Sequence, residues 1–174
     1  MPLYPAADSD LSAIAAFVNA AYRGDSSRLG WTTEADFLGG QRTDEVWLRD
    51  ELATKPEALL LTLRDAPGGP LLGCVWLEPE SPDVWYLGMF TVRPDMQKRG
   101  LGRTLLAEAE AAVRERGARR MSLGVLNVRN VLKEWYMRRG YAPTGQTHPF
   151  PYGDARFGVP NRDDLCFTMF EKQL

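Results

Sequence analysis

One stretch of the chain decides its fold: Arg93-Pro94-Asp95-Met96-Gln97-Lys98-Arg99-Gly100-Leu101-Gly102-Arg103. The apolar run at 84–92 before it predicts a buried strand, and the sequence from Leu101 to Arg116 after it predicts a helix. A turn between a strand and a helix presents free backbone N–H groups and the positive end of the helix dipole to an anion. The stretch therefore predicts an anion-binding site.

The glycines and cations of this turn suit a pyrophosphate. Gly100 and Gly102 let the backbone approach a phosphate closely, because glycine has no Cβ. Three residues add full positive charges: Lys98, Arg99 and Arg103.

Three glycine-rich phosphate motifs match the turn to different degrees. Leu105 stands where the dinucleotide fingerprint needs its third glycine. Gly102-Arg103-Thr104 lacks the lysine and the upstream glycine of the nucleoside triphosphate loop. The remaining motif is the Gln/Arg-x-x-Gly-x-Gly/Ala turn that holds the pyrophosphate of coenzyme A, and 97–102 matches it. Considered alone, the turn is equally compatible with an ordinary basic helix cap.

Sequence on both sides of the turn, and a second motif, carry a family resemblance. Val92-Arg93-Pro94 precedes the turn and the run at 101–106 follows it, while 134–141 reads Glu-Trp-Tyr-Met-Arg-Arg-Gly-Tyr. In this order and at this separation, they resemble the Gcn5-related N-acetyltransferase (GNAT) family. The resemblance implies acetyl-CoA as cosubstrate and direct acetyl transfer to an amine.

The order of predicted elements agrees with that family. It is β-α-α-β-β-β-α-β-α-β-β, and it predicts an α/β fold with a mixed, mostly antiparallel central sheet and helices on both faces. We expect residues 1–174 to form a single N-acetyltransferase domain. The predicted helices are 11–22, 43–52, 101–116 and 131–139, and the predicted strands are 59–63, 71–77, 84–92, 119–126 and 165–170, with a first strand near Leu3.

Composition sets limits on partners and location. The net charge of −2 over 174 residues does not indicate a nucleic-acid or membrane-surface partner. Residues 1–5 lack the basic and apolar regions of a signal peptide, so we expect a cytoplasmic protein. We expect no metal site. The oligomeric state stays open, with a homodimer among the options.

Two further features point to coenzyme A chemistry. Tyr136 matches the family tyrosine that protonates the coenzyme A sulfur, although a core aromatic is the alternative. Gly88 within a strong strand predicts either local opening of the strand or close packing. The resemblance implies that the backbone there pairs with pantetheine, through Phe90, Thr91 and Val92.

The expected coenzyme A contacts at the turn are Gln97, Lys98, Arg99, Gly100, Leu101, Gly102 and Arg103. The family usually has an asparagine seven positions before its tyrosine, where this chain has Arg129. Arg129 is either a phosphate contact through a charge-assisted bond or a solvated loop residue.

The acceptor side has weaker signals. We expect Glu34 to act as general base, with Trp31 and Asp36 binding a cationic amine through cation–π contact and ion pairing. A capped helix start at 33–36 is the alternative. Other candidate bases are Glu78, Glu80, Asp83 and His148, the last in a Pro-rich loop.

These observations predict an N-acetyltransferase that moves an acetyl group from acetyl-CoA to a primary amine of a small cationic molecule. One alternative is a catalytically silent acyl-CoA sensor, which would keep the phosphate turn and lose the acid and the base. Another is an acetyltransferase that acts on protein N-termini or lysines.

Overall fold

The computed structural model describes residues 1–31, 33–97 and 99–174. The helices are α1 (Leu11–Tyr22), α2 (Gly24–Ser27), α3 (Glu45–Thr54), α4 (Leu101–Arg114) and α5 (Asn130–Met137). The strands are β1 (Leu3–Pro5), β2 (Leu38–Gly39), β3 (Leu59–Leu63), β4 (Gly73–Ser81), β5 (Val84–Val92), β6 (Arg120–Leu126), β7 (Ala142–Pro149), β8 (Val159–Pro160) and β9 (Cys166–Gln173).

Seven of the strands form one sheet in the order β1-β3-β4-β5-β6-β9-β7, and β2 pairs with β8 in a small second sheet. Every neighbouring pair is antiparallel except β5 and β6, which run parallel. The predicted mixed, mostly antiparallel sheet is therefore confirmed. Within the described ranges, no helix has both the length and the apolar composition that crossing a bilayer requires.

Side-chain alternation along the central strands places helices on both faces of the sheet. On one face, Leu61 and Val75 belong to the same buried cluster as Leu105 of α4. On the other, Leu60 and Trp76 pack in a cluster with the apolar stripe of α1. The α1 stripe consists of Leu11, Ile14, Ala15, Val18 and Tyr22, and its spacing is the one that predicted the helix.

Two segments of the chain fold differently from the sequence-based prediction. We predicted a loop at 78–83, yet β4 continues to Ser81 and pairs with the start of β5. Pro79 is tolerated because β3 pairs with β4 only as far as Leu77, which leaves β4 one partner beyond that point. We also predicted a loop around His148, which instead lies in β7 opposite Phe167.

The parallel pair β5 and β6 separates soon after it begins. Val84–Tyr86 pair with Arg120–Ser122, and no further β5–β6 pairs occur among the described residues of these strands. An irregularity in the β4–β5 register coincides with Met89, which adopts a left-handed φ of 46°. No other non-glycine residue in the described part of the chain has positive φ. The bulge and the separation open a V-shaped gap in the middle of the sheet.

Candidate active site

Two cavities occupy this gap. The turn cavity, about 590 Å³, runs to the glycine turn before α4, and its lining includes Gly100, Gly102 and Arg103. The covered cavity, about 450 Å³, lies between β5 and β6 and is lined also by Leu38 of β2 and Phe157. Five of the described residues line both cavities and form what we call the shared wall: Tyr22, Phe90, Arg129, Leu132 and Tyr136.

The glycine turn has the geometry that its sequence predicts. Gly100 has a left-handed φ of 85° directly before α4, a conformation that favours glycine. Its carbonyl accepts from the N–H groups of Arg103 and Thr104 at 2.9 and 3.1 Å, so the helix begins at once. A Cβ on Gly102 would lie 3.3 Å from the Trp135 ring, which makes glycine the fitting residue there. The first amides of α4 have no helical carbonyl partner, so they are suited to bind an anion.

The described residues that line the turn cavity include more cationic than acidic side chains. The exposed Arg103 has no hydrogen bond or ion pair from its side chain within the described residues. Arg138 lies 3.9 Å from Glu134. Arg139 stacks 3.5 Å above the Trp135 ring, and burial, aided by the charges of Arg138 and Arg103, lowers the pKa of its guanidinium. This excess of positive charge suits a polyphosphate ligand.

The predicted coenzyme A contacts divide into two groups. Phe90, Val92, Gln97, Gly100, Gly102, Arg103 and Arg129 line the turn cavity. The others do not line it: Thr91 and Leu101 are buried in the fold, and Arg99 is exposed outside the cavity. Lys98 lies outside the described residues.

Trp31, which we predicted to bind the amine, lines the turn cavity and not the covered cavity. Its backbone N–H donates to Oε1 of Gln97 at 2.9 Å, which ties the N-terminal segment to the phosphate turn. Its ring lies 6.3 Å from that of Trp135. The two indoles thus border the same cavity.

Asp36 was also predicted to bind the amine, and it lies at the surface of the protein. Its carboxylate is exposed, binds Nη1 of Arg28 at 2.6 Å, and lines neither cavity. The alternative of a helix start at 33–36 fails too, because residues 33 and 34 are irregular and residues 35–37 form a turn that leads into β2. Asp36 is therefore a surface ion-pair partner.

Glu34 is buried between two arginines. Its Oε2 binds Nη1 of Arg23 at 2.5 Å, and its Oε1 binds Nη1 of Arg129 at 2.9 Å. Burial raises the pKa of Glu34, but the charges of Arg129 and Arg23 outweigh it, so the net pKa is lowered. A carboxylate with a lowered pKa and both oxygens engaged is a weak proton acceptor. The geometry therefore favours a role for Glu34 in positioning Arg129 rather than the predicted role as general base.

Tyr136 lies in the shared wall, 4% exposed, with its ring against those of Phe90 and Trp135. Burial raises the pKa of its phenol far above the ordinary value. The hydroxyl therefore stays protonated at neutral pH and is available as a donor. Tyr22 completes this wall, since its hydroxyl donates to the carbonyl oxygen of Phe90 beside the bulge.

Two glutamates of β4 line the covered cavity. Oε2 of Glu78 accepts from Lys55 Nζ at 2.9 Å and from Trp76 Nε1 at 2.8 Å. Oε2 of Glu80 accepts from Ser122 Oγ at 2.5 Å, and within the described ranges Glu80 has no cationic partner. His148 also lines this cavity, whereas Asp83 does not.

Asp83 instead pairs with Arg120 at 3.3 Å. In the part of the chain that the structure describes, no group of three or more His, Cys, Asp or Glu side chains is arranged to hold a metal ion.

Four residues of the site gave no functional signal in the sequence. Tyr22 belongs to the apolar stripe of α1, and Arg23 directly follows that helix. Arg42 lies in a polar segment and lines the covered cavity. Met89 adopts the bulge conformation, one residue after Gly88, at which the opening of the strand was predicted.

The split parallel pair in a mainly antiparallel sheet defines a known class of fold. A ribosomal-protein-alanine N-acetyltransferase from Brucella melitensis superimposes with a TM-score of 0.69 at 21% identity, covering 100% of both chains. A GNAT family acetyltransferase from Elizabethkingia anophelis, with acetyl-CoA bound, gives 0.57 at 16% identity over 73% of this chain and 82% of that one. Both share the fold of this chain.

The sequence establishes the family. The family model described as acetyltransferase (GNAT) family matches residues 26–141, and the chain belongs to this family. A mycothiol acetyltransferase from Cellulomonas flavigena is 33% identical over 156 residues, which cover 82% of this chain. The match spans 42% of that relative's length.

Proposed function

We propose that this protein transfers an acetyl group from acetyl-CoA directly to a primary amine of a small molecule. The observation that supports this most strongly is the shared wall. One cavity ends on a phosphate-type turn, the other contains carboxylates, and the two meet at Tyr136. Two substrates entering from opposite ends would bring their reacting atoms together at this wall.

The turn cavity fits coenzyme A along its length. The glycine turn and Arg103 would bind the pyrophosphate, and the unpaired edge of β5 beyond Tyr86 would pair with the amides of pantetheine. The thioester would then lie between Phe90 and Tyr136. Family membership supports the same cosubstrate.

The covered cavity fits a small acceptor. Its volume of about 450 Å³ lies in the range of small-molecule sites. Leu38 and Phe150, which belong to one buried cluster, line it where the small sheet and the end of β7 cover the gap. An amine reaches such a site as an ammonium ion, for which the carboxylates of Glu78 and Glu80 are favourable neighbours.

In the proposed reaction, the ammonium first gives a proton to Glu80, directly or through water. The free amine attacks the thioester carbon, a C–N bond forms, and the C–S bond breaks. Tyr136 protonates the departing thiolate and recovers a proton, through water, from the nitrogen, which loses its second proton to become the neutral amide, while Glu80 releases the first proton to solvent. Backbone N–H groups at the β5 bulge would stabilise the negative charge on the carbonyl oxygen.

Thiol release from acetyl-CoA, measured across a panel of primary amines with mass spectrometry of the products, tests this function. We expect acetylated amine and free coenzyme A in equal amounts. Coenzyme A binding in calorimetry without turnover of any amine would instead support an acyl-CoA sensor. The absence of coenzyme A binding would contradict both functions.

The role of Glu80 can be tested separately. Glu80→Gln should lower kcat by about 10²-fold or more, because proton transfer by a positioned side chain contributes factors of that order. The loss should shrink as rising pH deprotonates the amine in solution. Glu57→Gln, an exposed change away from both cavities, is the control. A pH profile that is the same in Glu80→Gln and wild type would remove Glu80 from the mechanism.

A further inference from the structure

The charges that line the covered cavity are matched by partners with two exceptions. Glu34 binds both Arg23 and Arg129, and Glu78 binds Lys55. Glu80 has a hydroxyl partner but no cation within the described ranges. The remaining group is Arg42. Its guanidinium makes no hydrogen bond or ion pair with any described residue, and lies 5.9 Å from the centre of the Tyr22 ring.

Arg42 extends from a fixed backbone position. Asn19 of α1 accepts from the backbone N–H of Arg42 at 2.6 Å through Oδ1. Its Nδ2 donates to the carbonyl of Thr43 at 2.8 Å, so one side chain holds both residues. Anchoring of this kind reduces the entropy that the Arg42 side chain would lose on binding a ligand.

The positive charge of Arg42 affects another residue of the covered cavity, Tyr86. Burial raises the pKa of Tyr86, and the charge of Arg42 opposes that rise. The carboxylates of Glu78 and Glu80 also raise the pKa of Tyr86. The pKa of Tyr86 therefore depends both on the charge of Arg42 and on the carboxylates of Glu78 and Glu80, so Tyr86 lies near both groups.

Positive charge exceeds negative charge around Glu34 in this cavity. Among the described residues, Glu34 pairs with both Arg23 and Arg129, and Arg42 lines the same cavity as a third arginine. The side-chain Nε of Arg23, a residue that is 5% exposed, also has no hydrogen-bond partner among the described residues. A half-buried guanidinium without a counter-ion binds a carboxylate well, because its planar fork matches two carboxylate oxygens.

We propose that the acceptor is an amino carboxylate, whose carboxylate binds Arg42 while its ammonium faces Glu80. This inference rests on the proposed function, which assigns the acceptor to the covered cavity. It replaces the expected cationic molecule with a zwitterion, because the cavity offers one unmatched charge of each sign. Arg42 then determines specificity by selecting amines that carry an anionic group.

Matched substrates test the proposal in the full-length protein. Each common protein amino acid is compared with its carboxamide and with its decarboxylated amine, all having the same side chain. Wild-type kcat/KM should be about 10- to 100-fold higher for the best amino acid than for its amide, the range expected for a hydrogen bond between charged groups. In Arg42→Gln that ratio should fall towards one. In Arg114→Gln, which removes an exposed charge of α4, it should be unchanged.

A binding measurement separates this proposal from the proposed function. Calorimetry with N-acetyl amino acids and their amides, in the presence of coenzyme A, requires no turnover. Carboxylate-selective binding that Arg42→Gln abolishes supports the proposal even if no amine is acetylated, a result that would refute the proposed function alone. Equal binding of acid and amide by wild type, or an equal loss of both in Arg42→Gln, would overturn the role of Arg42.

Discussion

The two cavities share a wall, yet they are built in different ways. The turn cavity takes its anion site from one local segment, where a glycine turn meets the start of α4 and where Arg103 has no ionic partner among the described residues. The covered cavity takes its charged groups from segments far apart in the chain, and four of them, Arg23, Glu34, Glu78 and Arg129, have an ionic partner among the described residues. Backbone amides and excess positive charge make the turn cavity receptive to phosphate. In the covered cavity, by contrast, the matched ion pairs help to stabilise the fold.

This difference has an energetic consequence. Loss of the charge of Arg103 from the turn cavity removes an attraction for ligand and leaves the ion pairs of the fold in place. Loss of one charge from the Arg23–Glu34–Arg129 cluster leaves a buried partner unpaired, which costs folding free energy. Substitutions in the two cavities should therefore change different quantities, and three experiments test this separation.

The largest effect is expected at the shared wall. Tyr136→Phe keeps the ring and removes the hydroxyl, so kcat should fall by about 10²- to 10⁴-fold while the affinity for coenzyme A changes little. Single-turnover kinetics and calorimetry measure the two quantities. Tyr4→Phe in β1, which lines neither cavity, is the matched control. If kcat is unchanged while chemistry limits turnover, Tyr136 is a core aromatic only.

The next largest effect concerns stability. Glu34→Gln should reduce the free energy of unfolding by about 3–5 kcal/mol, because Arg23 and Arg129 lose their shared buried counter-ion. Asp36→Asn, two residues away, should change it little, since the ion pair with Arg28 is exposed. Urea unfolding measures both values. Similar losses in the two variants would contradict a structural role for the buried Arg23–Glu34–Arg129 cluster.

The pH dependence of that difference has a definite sign. The pKa of Glu34 is lowered in the folded state, so its carboxylate contributes stability that is fully present above its unfolded pKa, near 4.5. That contribution is lost as the pH falls through the lowered folded value. The stability difference between wild type and Glu34→Gln should therefore be constant near neutral pH and shrink in acid. A difference that grows in acid would contradict the lowered pKa.

A smaller effect is expected in the turn cavity. Arg103→Gln should weaken coenzyme A binding by about tenfold, the scale of one charge-assisted contact, with unfolding unchanged. The loss should diminish at high salt because screening weakens the contact. Arg114→Gln, at the other end of α4, controls for general loss of charge. Equal affinities of the two variants in calorimetry would exclude Arg103 as a phosphate contact.

The sequence predicted features that depend on neighbouring residues and missed those that depend on distant ones. The glycine turn and the apolar stripe of α1 follow from spacing, because one local conformation satisfies each pattern. Glu34 and Asp36 are carboxylates two positions apart, yet one is buried and the other exposed. The arginines that bind Glu34 lie 11 and 95 residues away, and no local pattern encodes the second. The bulge at Met89 likewise depends on the register with β4.

The shared wall also constrains the order of events in a catalytic cycle. Within the described residues it consists of two tyrosines, a phenylalanine, a leucine and an arginine, and none of these offers the thiol, amine or hydroxymethyl group that ordinarily carries an acyl group. In the proposed reaction, the acetyl group has no intermediate site to occupy while the acceptor is absent. Bound acetyl-CoA therefore stays unreacted until the acceptor binds, so turnover in the proposed reaction proceeds through a ternary complex.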